Sequence, residues 1–367
     1  MGTIRLILAI SVVIAHSTDI FGFRLVGGQL AVQVFYIISG FYMALILKEK
    51  YIGANGSYKL FISNRFLRIY PVYWVILIAT VLVSLAAYLY SGSGFFHIYA
   101  EYFDSMSIGS ILFLIFTNIV LFFQDTVLFL GLDVSSGNLF FTSDFTASDP
   151  ALCDFLFVPQ AWTVALELTF YLIAPFIVKK RIRYLIGMIV VLLILRFIIS
   201  YGFGLNHDPW THRFFPTELV FFIFGIIAYH IYKRIAAVEI KKVYLNSIWI
   251  GFLAITFAFS FLPLEYDIKR IAYLSIFFMA LPFIFILTKS WKFDRNIGEL
   301  SYLVYISHTF VLICMRPFKF LYADGAYGVS LVVLTLLCSV LLNELVSKKI
   351  EQMRQKRVKK AEVYASN

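Results

Sequence analysis

The sequence predicts an all-α integral membrane protein: a ten-helix transmembrane bundle with an additional re-entrant segment. Three observations carry that expectation. Hydrophobic residues make up 61% of the chain and the mean hydropathy is +0.86, well beyond the apolar share of roughly 45–50% in a soluble domain. Apolar runs long enough to cross about 30 Å of hydrocarbon recur from end to end. Lysine and arginine concentrate in short connections between those runs and in a tail, "KKIEQMRQKRVKK" at 348–360. A net charge of +10 arranged in this way reads as positive-inside topology or attraction to anionic lipid, not as a nucleic-acid surface.

Taken in order, the apolar runs fit spans at 4–21, 29–47, 70–90, 161–178, 184–201, 215–232, 246–263, 271–288, 300–316 and 327–346. The first lacks a small-residue cleavage site and reads as a retained helix. Four basic clusters fall between spans: Lys48/Lys50/Lys59/Arg65/Arg68, Lys179/Lys180/Arg181/Arg183, Lys233/Arg234/Lys241/Lys242 and Lys289/Lys292/Arg295. Placing all four and the tail in the cytoplasm puts both termini inside. Residues 1–347 then form the membrane domain and 348–367 a basic cytoplasmic tail.

No Lys or Arg occurs between Arg68 and Lys179, although both belong to the same side. The certain spans in that interval satisfy parity, so the ambiguous stretch 108–132 must leave and return on the outer side, with its tip near Gln124 and Asp125. Such a segment is tolerated at depth only where protein or a water-filled cavity covers its broken backbone. The three cysteines, Cys153, Cys314 and Cys338, lack metal-ligand spacing. No internal repeat of the kind that marks many secondary transporters is visible.

Ionisable groups inside spans are costly and mark candidate sites. Arg5 and His16 differ by about 20° around a helix and about 16 Å along it, so they share a face. His16 reads either as a hydrogen-bonded core histidine or as a general base; Arg5 reads as a snorkelling anchor or as part of a path. Glu167 in "WTVALELTFYLIAPF" would sit level with His16 as its partner, or serve Tyr171 one turn on. Pro175 removes the amide partner of the Tyr171 carbonyl. Arg65 and Arg68 in "FISNRFLRIYPVYW" are one helical turn apart, with Pro71 placed to start a helix, and suit either positive-inside anchoring or a phosphate-rich ligand. Ser39 and Gly40 suit close helix packing or a site wall. His308 reads as site-lining or structural. In the loop "NHDPWTHR", His207, Asp208 and His212 match no usual zinc spacing, and Trp210 offers a sugar-stacking surface.

Four of these elements, in order, resemble the membrane acyltransferase-3 family of bacterial cell-surface glycan O-acyltransferases. They are Arg, ten residues, then His (Arg5, His16); F-x-x-S-G (Ser39, Gly40); R-x-x-R-x-x-P (Arg65, Arg68, Pro71); and W-x-x-x-x-E-x-x-x-Y-x-x-x-P (Trp162, Glu167, Tyr171, Pro175). The resemblance implies an O-acyltransferase of the bacterial cytoplasmic membrane. It would move an acyl group, foremost acetyl, from cytoplasmic acyl-CoA to a hydroxyl of an exopolysaccharide or lipid-linked glycan. Acetyl-CoA would be the donor substrate, no metal would be needed, and the partners would be the glycan acceptor and the lipid bilayer, with no nucleic acid. By the same resemblance His16 and Glu167 are catalytic, Arg65, Arg68 and Arg5 hold the donor, and Ser39, Trp162, Tyr171 and His308 line the substrate path. A glycan or lipid transporter without covalent chemistry is the alternative.

Overall fold

The computed structural model describes residues 1–20, 22–49, 58–318 and 326–366, with side chains followed to Arg357. Phe21, Lys50 and the tail side chains beyond Arg357 lie outside the described residues. The helices are α1 (Gly2–Ala15), α2 (Gly28–Glu49), α3 (Tyr58–Ser91), α4 (Phe95–Tyr102), α5 (Ile108–Val120), α6 (Trp162–Ile177), α7 (Ile182–Phe197), α8 (Phe215–Ile235), α9 (Lys242–Ala258), α10 (Tyr266–Thr288), α11 (Lys292–Met315), α12 (Ala326–Leu342) and α13 (Lys348–Ser366). A two-stranded antiparallel hairpin, β1 (Leu130–Asp133) and β2 (Asn138–Phe141), pairs Leu130 with Phe141 and Asp133 with Asn138. Nine helical stretches among the described residues are long and apolar enough to span a membrane, and α1 and α5 are shorter apolar helices. The fold is an all-α integral membrane bundle.

Each of the ten expected spans coincides with a helix, and two of the ends that differ bear on the site. Helix α1 stops at Ala15 although the apolar run continues to Phe21. The His16 amide bonds back to both Val12 and Val13 carbonyls, the Ser17 hydroxyl takes the Ile14 carbonyl, and a turn follows. At 1.5 Å per residue α1 is about 21 Å long, short of the hydrocarbon thickness, and His16 caps its end. Helix α3, expected to begin at Pro71, begins at Tyr58 and runs through that proline. Pro71 costs one amide bond but does not end the helix, since neighbouring backbone and side chains absorb such losses in membrane helices.

The chain divides into two compact units. The first comprises Met1–Arg68, Ile173–Ile189 and Leu219–Asn367, the second Ile69–Leu172 and Val190–Glu218. In the first, α1 packs on α11 and α12 through Ala9, Val13, Val304, Val311, Met315 and Leu331. Helices α2 and α8 meet backbone to backbone: a Cβ on Gly40 would come within 1.9 Å of the Phe222 carbonyl oxygen, and one on Gly225 within 2.0 Å of that of Ile37. Gly40 therefore serves close packing, as small residues do between membrane helices.

In the second unit, Met106, Leu114, Val127, Leu132, Leu152 and Phe155 form a core beneath the hairpin. Helix α5 breaks at Leu121, which together with Phe123 adopts positive φ, close to the expected tip at Gln124. The return arm is not helical: a 3₁₀ turn, Asp125–Phe129, leads into β1. Tyr70 and Tyr73 donate to the carbonyls of Val120 and Asn118, and the Trp74 indole donates to that of Ile119 at 2.9 Å. The carbonyls exposed where a helix ends are thus covered by protein, as a broken backbone at depth requires.

Candidate active site

Two chemically different clusters lie at the two ends of α1, both in the first unit. At its start, Asp294 on α11 caps the helix. Its carboxylate accepts from the amides of Gly2 at 2.7 Å and Thr3 at 2.9 Å, from the Thr3 hydroxyl at 2.8 Å and from the terminal ammonium of Met1 at 2.8 Å. An acid at the positive end of a helix dipole satisfies donors that would otherwise be orphaned. The two helices can approach this closely only because Gly2 and Gly298 face each other; a Cβ on Gly298 would come within 2.7 Å of the Gly2 Cα.

That contact brings α1 and α11 together with α3. Arg5 reaches past Gly298, where a Cβ would lie 3.6 Å from its Nη1. The next residue, Glu299, pairs with Arg68 at 3.7 Å. Arg5, Arg65, Arg68 and Arg354 all act electrostatically on Glu299. Arg65 is buried, 5% exposed, with its guanidinium 5.9 Å above the Phe61 ring. Tyr42 of α2 shares the field of Arg5, Arg68, Asp294 and Glu299. All three arginines expected from the sequence therefore lie within electrostatic reach of one carboxylate, and Arg68 is paired with it.

At the other end of α1, His16 is exposed while His308 is fully buried. Their ring centroids are 4.9 Å apart at an interplanar angle of 41°. His308 Nδ1 lies 2.5 Å from the Tyr305 carbonyl oxygen. A carbonyl can only accept, so Nδ1 carries the proton and the neutral ring leaves Nε2 as a lone pair. No described residue hydrogen-bonds that buried Nε2. The turn after His16 is seated on α12: a Cβ on Gly328 would come within 2.6 Å of the Thr18 carbonyl oxygen.

The remaining expected residues belong to the second unit. The Tyr171 hydroxyl donates to Glu167 one turn away on α6. Trp162, at the start of α6, lies beneath Arg213, whose guanidinium is 4.5 Å from its ring centroid, and edge-on to His212 at 5.9 Å. Asp208 grips Arg213 through two bonds of 2.6 and 2.9 Å, and the Trp210 indole donates to the Ser143 carbonyl at 2.9 Å. The loop 206–213 is thus an ordered aromatic and guanidinium surface. Among the described residues no group of three or more His, Cys, Asp or Glu side chains could hold a metal ion.

Sequence reasoning did not pick out Asp294 and Glu299, because both fall before the span expected at 300–316, whereas α11 begins at Lys292. It also passed over Arg196 and Glu218, an ion pair in the second unit whose glutamate is fully buried. That signal was available, since both residues sit inside apolar runs.

A polytopic helical bundle with arginines at one end of α1 and paired imidazoles at the other is an integral membrane protein with ionisable groups set inside it. The sequence profile of the acyltransferase-3 family, described as an acyltransferase domain, matches residues 2–344, and the chain belongs to that family. Neither the curated proteins nor the solved structures contain a match to it. The protein is an integral membrane acyltransferase.

Proposed function

We propose that this acyltransferase moves an acetyl or similar short acyl group from cytoplasmic acyl-CoA to a hydroxyl of a glycan, an exopolysaccharide or lipid-linked oligosaccharide, at the outer face of a bacterial cytoplasmic membrane. The observation that carries the reading is α1 itself, which delivers Arg5 into a guanidinium cluster at one end and His16 onto His308 at the other. Guanidinium forks match phosphate oxygens bidentately, so Arg5, Arg65 and Arg68 are suited to the phosphates of the donor. With the basic clusters and both termini in the cytoplasm, that end faces the donor pool.

The exposed imidazole of His16 takes the proton of the acceptor hydroxyl as its oxygen attacks the thioester carbonyl. The carbon–sulfur bond breaks, the new carbon–oxygen ester bond forms, and the leaving thiolate recovers the proton from the imidazolium. His308 has no surface to offer a substrate and acts through His16, holding its ring and presenting Nε2 as an acceptor. Glu167, which accepts from the Tyr171 hydroxyl, is a second candidate acid–base group, and Trp162 with the loop 206–213 provides an aromatic surface suited to a sugar ring.

Purified protein incubated with radiolabelled acetyl-CoA tests the reading. His16-dependent release of free CoA and labelling of an added glycan are expected. Movement of an unmodified glycan across proteoliposomes without CoA release would replace the enzyme reading with a transporter.

A further inference from the structure

The sequence presents residues 348–360 as a solvated basic tail, and they fall beyond the family match at 344. The fold treats them differently. Helix α12 continues through a π-helical turn at Asn343–Ser347 into α13, an unbroken helical stretch through Arg357. Within this polar helix Arg354 is only 9% exposed and is paired with Glu351. Burying a guanidinium is expensive and is compensated by ionic partners. One turn on, Arg357 Nη2 donates to the Ser63 hydroxyl at 2.9 Å. Ser63 lies two residues before Arg65 on α3, so α13 is laid against the segment of α3 that carries the arginine pair. Arg354 acts on the same carboxylate, Glu299, as Arg5, Arg65 and Arg68.

We propose that α13 completes the donor site, with Arg354 and Arg357 supplying guanidinium contacts to the phosphates of the ligand held by Arg5, Arg65 and Arg68. This inference rests on the reading of that cluster as a polyanion site. A donor bearing several phosphate groups is longer than one arginine pair can cover, and guanidinium groups from α1, α3 and α13 around one point can engage more than one phosphate at once. Affinity and selection for a fully phosphorylated donor would then depend on a helix outside the family's common domain.

The test is CoA binding by calorimetry to the full-length protein in phosphatidylcholine nanodiscs, repeated with 3′-dephospho-CoA. Arg354→Gln is expected to raise the Kd for CoA about tenfold or more, the loss of one charge-assisted contact, and Arg357→Gln to raise it less. Lys356→Gln, an exposed neighbour, should leave it unchanged. If Arg354→Gln abolishes the difference between CoA and its dephospho form, the contact is to the 3′-phosphate. An unchanged CoA Kd, together with loss of a thermal stabilisation conferred by phosphatidylglycerol, would overturn the proposal and make α13 a lipid-headgroup site. Should Arg354→Gln fail to fold, Arg357→Gln decides in the same way. Arg68→Gln separates the two levels: if it weakens CoA binding and the α13 variants do not, only this inference fails; if it too has no effect, the donor-site reading fails with it.

Discussion

The two ends of α1 solve opposite problems with the same helix. At its start, Arg5 and the capping Asp294 meet at a glycine contact, with the Arg68–Glu299 pair one residue further along α11, and every hydrogen bond named there has an ionised partner. At its close two imidazoles meet with ring centroids 4.9 Å apart, one exposed and one buried. Fixed charge suits recognition of a charged ligand, whereas an imidazole pair suits moving a proton. On the proposed reading, binding and chemistry are separated along one helix, so substitutions at the two ends should fail in different parameters.

His16→Ala is the sharpest way to break that separation. Transfer should fall by about 10²–10⁴-fold, the usual contribution of a general base, while the Kd for acyl-CoA stays within twofold of wild type, about 0.4 kcal/mol. A parallel loss of affinity would show the two ends to be one site. Arg68→Gln should do the reverse, raising the Kd for acyl-CoA about 10–100-fold through loss of a charge-assisted contact and leaving turnover at saturating donor nearly intact. Single-turnover measurements over a range of donor concentrations distinguish the two patterns.

Backbone contacts sharpen the same contrast. Gly298→Ala places a methyl 2.7 Å from the Gly2 Cα, and Gly328→Ala places one 2.6 Å from the Thr18 carbonyl. Each should cost about 1–3 kcal/mol of stability by overpacking, read as a lower thermal midpoint in detergent. Gly298→Ala should also raise the donor Kd, by displacing Arg5, and Gly328→Ala should lower kcat, by shifting the turn that carries His16.

Much of this was legible in the sequence, and what was not has a common cause. Hydropathy marked ten spans and charge asymmetry marked the odd segment 108–132, because bilayer thickness and positive-inside bias act on local runs of residues. The eleven-residue spacing of Arg5 and His16 and the one-turn spacing of Arg65 and Arg68 were readable for the same reason. The end of α1 at Ala15 was hidden, since Ile20 and Phe21 prolong an apolar run that backbone bonds to Val12, Val13 and Ile14 cut short. Partners across the chain were hidden too: Asp294 bonds Gly2 across 292 positions, and neither periodicity nor composition encodes which helix lies beside which. The non-helical return after α5 escaped because its hairpin, "LGLD" and "NLFF", is as apolar as a span.

The smallest effect expected is also the most informative about the neutral end. If His308 acts only as a ring packed under His16, His308→Phe keeps that surface and should cost little. If it acts through the Nε2 lone pair that its Nδ1–H bond to Tyr305 leaves free of a proton, phenylalanine loses the acceptor, whereas His308→Gln can place an amide oxygen near the same point. The acceptor role predicts about a tenfold drop in kcat for His308→Phe, roughly the worth of one net hydrogen bond, with an unchanged KM for donor and partial recovery in His308→Gln. A phenylalanine variant with wild-type kcat, or a glutamine variant no better than phenylalanine, would assign His308 to packing alone and leave His16 to work without an imidazole partner.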